Sequence, residues 1–142
     1  MEQRISLITL GARDIDALAA FYEALGWVRT ESPPGVIAFD LIGQTLALFP
    51  LEKLAEDIGV SVDSLGHGAV TLAHNLRNKS EVAPLIARAK TAGARVLKPA
   101  SDAEWGGHLG YFADPEGHIW EIAWNPFAPL APTGTFQWNG AI

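Results

Sequence analysis

One order of elements occurs twice in this chain, and that repeat constrains the fold more than any other feature. Residues 5–10 are rich in β-branched side chains and stop at Gly11, so they read as a strand. Asp14 suits an N-cap, and Ile15, Leu18, Tyr22 and Leu25 then recur at helical spacing, with Phe21 beside them. Gly26 ends that helix in a left-handed position. Strand-like runs follow at 27–30, 36–41 and 45–49, separated by turns. The order resumes with a strand at 69–73. Asn78 and Glu81 have capping-box spacing, and Val82, Leu85, Ile86 and Ala89 form a helical stripe that Gly93 stops. A strand from Ala94 and a closing hairpin complete the unit. The two helix-ending glycines, Gly26 and Gly93, lie 67 positions apart. A repeat on this scale points to duplicated units that bury a shared core. The expected class is α+β, with two βαβββ modules, mixed β-sheets and helices on one sheet face. Module one spans 5–50, a linker 51–66, module two 67–124 and a tail 125–142, within one domain of 142 residues. Within the linker, Pro50 and Gly59 bracket a short apolar stripe of Leu51, Leu54, Ala55 and Ile58.

The closing hairpin carries the chemistry. Asp114-Pro115-Glu116-Gly117 suits a type I turn, and Gly117 also supplies the left-handed position of a bulged closure. Residues 109–113 and 118–124 therefore pair as antiparallel strands. Alternation puts Ile119, Glu121 and Ala123 on one face, and His118, Trp120, Ile122 and Trp124 on the other. Glu121 is the anomaly, a carboxylate in the middle of an apolar face, where an ionised group costs several kcal/mol unless paired or coordinated. Phe112, Asp114-Pro115-Glu116-Gly117 and Ile119-Trp120-Glu121-Ile122 together resemble the signature of the vicinal-oxygen-chelate superfamily of glyoxalases, bleomycin-resistance proteins and extradiol dioxygenases. Leu10-Gly11-Ala12-Arg13-Asp14, Ala20-Phe21-Tyr22 and Leu25-Gly26-Trp27 are similar to its usual opening, so the resemblance covers residues 5–124. It implies paired modules whose sheets curl into a cup, with helices outside.

The resemblance also implies where ligands should stand. Metal-using members take a histidine from the first strand of a module and a glutamate from its last. By position the histidines fall on Leu7 and, within one residue, on Ala69, and the last strand of module one offers Ala47 or Leu48. Glu121 alone survives, whereas Zn, Ni or Fe sites need three or four ligands. The implied function is a small-molecule-binding protein of the bleomycin-resistance type, with a degenerate metal site and no cofactor. Two alternatives stay open. One is a metal-dependent lyase, isomerase or dioxygenase whose divalent Zn, Ni, Mn or Fe sits on Glu121, His67 and His108. The other is a metal-free enzyme with Glu121 as general base. Trp105, in a glycine-flanked loop, and His108, entering the next strand, join Glu121 as candidate ligand contacts.

Composition narrows the partners. A net charge of −6 disfavours nucleic acid and anionic membranes, which need a basic footprint. Without cysteine there is no disulfide framework and no thiolate site. No run is long and apolar enough to span a membrane, and the N-terminus lacks a signal-peptide core, so the expected location is cytoplasmic. Pro126, Pro129 and Pro132 break the tail, while Phe127, Leu130, Phe136 and Trp138 need cover; a homodimer is the expected assembly.

Overall fold

The computed structural model describes residues 1–66 and 69–138. The chain divides into two compact units, Met1–Gly68 and Ala69–Ile142. In the first, β1 (Leu7–Ala12), β2 (Ile37–Asp40) and β3 (Thr45–Pro50) form an open sheet of order β1-β3-β2. β1 runs parallel to β3 and β2 antiparallel to it, so the sheet is mixed. Helix α1 (Ile15–Ala24) starts where Asp14 accepts a hydrogen bond from the Ala17 N–H at 2.9 Å. It buries Leu18, Ala19, Phe21 and Tyr22.

The strand expected at 27–30 does not form; only Thr30 bridges to Ala38. Two side chains of this stretch turn to α1 instead. Trp27 stacks on Tyr22 with ring centroids 4.9 Å apart, and Arg29 grips the Glu23 carboxylate with contacts of 2.7 and 3.1 Å. The unit is therefore βαββ with one bridge. In the linker, α2 (Leu51–Ile58) ends at Gly59, whose φ is +83°. It packs so closely on β1 that a Cβ on Gly11 would meet Leu51 at 2.8 Å and Leu54 at 2.9 Å.

The second unit has the full βαβββ order: β4 (Leu72–Asn75), α3 (Val82–Ala92), β5 (Arg95–Asp102), β6 (His108–Ala113) and β7 (Ile119–Trp124). Its open sheet has the order β4-β7-β6-β5, with β4 parallel to β7 and the other pairs antiparallel. β4 begins three residues later than expected, because the parallel ladder opens with Leu72 opposite Trp120 and Ala69 lies in a turn. The capping box is present: Glu81 accepts from the Asn78 N–H at 2.8 Å and launches a 3-10 turn into α3. α3 lies on one face of this sheet, seated against Gly110 of β6. Pro99 sits on edge strand β5, beside two register shifts, where a missing N–H costs no ladder bond. The tail is tied back by Arg77, which donates to the carbonyls of Ala131 at 3.0 Å and Pro132 at 2.9 Å. Among the described residues no helix is long and apolar enough to cross a membrane.

Candidate functional site

The β6–β7 turn is built by Asp114. Its carbonyl accepts from the Gly117 N–H at 2.9 Å, and its side chain accepts from the N–H groups of Glu116 and His118 at 3.0 and 2.9 Å. The Nδ1 of His118 lies 2.9 Å from the other carboxylate oxygen, so the 3 % exposed Asp114 is fully engaged. Gly117, with φ at +97°, adds the extra residue of a bulged closure. That residue sets the register: Phe112 stands opposite Trp120, and Tyr111 opposite Glu121.

Register and alternation sort the side chains. His108, Gly110 and Phe112 with Trp120, Ile122 and Trp124 share the α3 face. Leu109, Tyr111 and Ala113 with Ile119, Glu121 and Ala123 share the opposite face. There the Tyr111 hydroxyl donates to Oε2 of the half-buried Glu121 at 2.7 Å. Buried Leu109, Ala113 and Ala123 surround the pair. The hydrogen bond to Glu121 pushes the Tyr111 ionisation up, burial adds to it, and a phenolate there would also face the like charge of the carboxylate. Oε1 of Glu121 accepts no hydrogen bond among the described residues. The site thus presents one apolar face, one oriented carboxylate and one open acceptor.

Of the other residues proposed from sequence, His108 does not join it. His108 lies on the α3 face, with Nδ1 2.7 Å from Asp102, which also takes Lys79 at 2.6 Å. Lys79 first, then His108, holds the Asp102 carboxyl below its usual range. Trp105, 48 % exposed, packs its indole against Gly107 in the β5–β6 loop; a Cβ on Gly107 would fall 1.9 Å from the ring. His67 lies outside the described residues. Tyr111 is the site residue that the sequence did not single out. The bulge at Gly117 held the signal, since counting one extra residue in the turn places Tyr111 directly across from Glu121.

The model of the Glyoxalase/Bleomycin resistance protein/Dioxygenase superfamily matches residues 4–122. The chain belongs to this superfamily. A solved structure of a glyoxalase-related enzyme from Fulvimarina pelagi is 42% identical to this superfamily member, with a TM-score of 0.88, covering 96% of this chain and 98% of that one. A glyoxalase/bleomycin resistance protein/dioxygenase family enzyme from Burkholderia phytofirmans PsJN shares the fold at 22% identity and a TM-score of 0.77, covering 85% and 98%. So does a lactoylglutathione lyase from Agrobacterium tumefaciens, at 22% identity and 0.66, covering 88% and 96%. No curated protein matches. The metal of many glyoxalase-superfamily members finds no matching donor set among the described residues: no three His, Cys, Asp or Glu side chains cluster there. Glu121 and His108, two of the proposed ligands, stand on opposite faces of the sheet.

Proposed function

We propose that this superfamily member binds a small organic molecule on the face carrying Glu121, without a divalent metal. The observation that carries this reading is the Tyr111–Glu121 pair. A hydroxyl bond at 2.7 Å fixes one carboxylate oxygen and leaves the other as an acceptor on an apolar surface. Sites for small molecules have this make-up, mainly apolar with a few placed polar groups. The ligand needs an apolar body and an N–H or O–H donor for Oε1. Leu7 and, within one residue, Ala69 are the positions on which the resemblance places metal-binding histidines, and their apolar side chains favour a metal-independent role. Native mass spectrometry of protein purified without chelator should find a small organic adduct and no stoichiometric metal. Near-stoichiometric Zn, Ni, Mn or Fe that disappears in His67→Ala would replace this reading with a metal-dependent lyase, isomerase or dioxygenase.

A metal-free enzyme is the second reading, favoured by the 42% identical relative being described as an enzyme. In it, Oε1 of Glu121 accepts a proton from the bound molecule while Tyr111 holds Oε2. Exposed Phe127 and Trp138, at 71% and 78%, also favour a homodimer that covers the tail. Sedimentation at micromolar concentration should give twice the chain mass of 15.2 kDa, and a monomer there would remove the dimer from the reading.

A further inference from the structure

The register of the second unit carries more than one carboxylate. Across the sheet, one rung runs Ala73 on β4, Glu121 on β7, Tyr111 on β6 and Lys98 on β5. The neighbouring rung on the same face runs Ile119, Ala113 and Arg95. Edge strand β5 thus brings two cations beside a face whose middle is acidic. Neither the Arg95 nor the Lys98 side chain has an ion-pair or hydrogen-bond partner among the described residues, although Asp and Glu outnumber Lys and Arg by 16 to 10. The other nearby cations are occupied: Lys79 holds Asp102, and Arg77 holds the tail. Strands lie about 4.8 Å apart, so Glu121 and Lys98, with one strand between them, stand roughly 10 Å apart at the backbone.

Resting on the binding reading above, we propose that the ligand of this face is a small zwitterion. Its cationic or N–H end meets Oε1 of Glu121, its anionic end meets Lys98 and Arg95, and its apolar middle crosses Tyr111. The Tyr111 hydroxyl is already committed to Oε2, so its ring acts as spacer and surface and leaves Glu121 to take the donor. Charge order along the rung then selects both ends of the ligand. A purely cationic or purely anionic molecule satisfies one end and leaves the other solvated.

Three probes with the same apolar chain test this on the whole isotope-labelled protein: 6-aminohexanoate, hexylamine and hexanoate, each followed through backbone amide shifts of β6 and β7. The zwitterion should bind about tenfold tighter than either single-charge probe, one further charge-assisted contact. Glu121→Gln should remove its advantage over hexanoate. Lys98→Met with Arg95→Met should remove its advantage over hexylamine; both positions are exposed, so the fold survives. A zwitterion no tighter than hexylamine overturns the proposal, as does the absence of shifts on that face with all three. If hexylamine still binds and depends on Glu121, the underlying reading stands. If its binding ignores Glu121→Gln, both fall.

Discussion

Gly110→Val should destabilise the protein by roughly 3 kcal/mol, the upper part of the range for overpacking a core. A Cβ at Gly110 would lie 2.5 Å from Cδ1 of Ile86, 2.8 Å from the Lys98 carbonyl oxygen and 3.0 Å from the Ala100 nitrogen. The first contact is the end of a side chain and can yield. The other two are backbone of β5, held by its ladder to β6, and yield only if the edge strand lifts away. Valine adds two methyl groups to the same gap. For a chain of this size the expected loss lowers the melting temperature by about 10 °C. Ile86→Val should rescue Gly110→Ala only in part, because the backbone contacts remain. A Gly110→Val protein that melts with the parent would show that β5 is not held against β6 as described. Lost pairing should also disturb Lys98, whose position depends on this edge.

What could be read from the sequence follows from how local each signal is. The caps at Asp14 and Asn78–Glu81 and the stops at Gly26, Gly59 and Gly93 depend on a few neighbouring residues, and they stand where expected. The hairpin around Asp114–Gly117 was legible for the same reason. The stretch 27–30 was not: its β-like composition is overridden by Trp27 stacking on Tyr22 and by Arg29 reaching Glu23, both contacts to α1. β4 slipped because a parallel strand is placed by its partner, here β7, and not by its own ends. At the site, Glu121 was legible as a carboxylate in an apolar strand, but its company was not. His108 has the parity of Trp124, and the one-residue bulge at Gly117 decides that parity relative to Glu121. The same bulge delivers Tyr111 to Glu121, so a single glycine separates the expected cluster from the observed pair.

Tyr111→Phe should cost about 1.5 kcal/mol, because it strips a half-buried carboxylate of its hydrogen bond, and bonds to charged groups sit near that value. Adding Glu121→Leu should recover that loss, since an apolar pair leaves no unsatisfied group on a face already lined by Leu109, Ala113 and Ala123. The alkaline titration gives a second reading of the same bond. The chain has two tyrosines, Tyr22 and Tyr111, and Glu121 raises the ionisation of Tyr111. A folded-state pKa above the unfolded value means that the bond's stabilisation is complete below about pH 10 and is lost as pH rises through the folded pKa. Glu121→Gln should therefore bring the Tyr111 tyrosinate absorbance in at lower pH and flatten the alkaline fall in stability. A Tyr111 titration unmoved by Glu121→Gln would mean that the pair does not exist in solution. The decisive comparison is between stability and retention of the small-molecule adduct. If the Leu–Phe double variant is at least as stable as the parent and loses the adduct, folding does not need the carboxylate, and binding is what keeps Glu121 in an apolar strand.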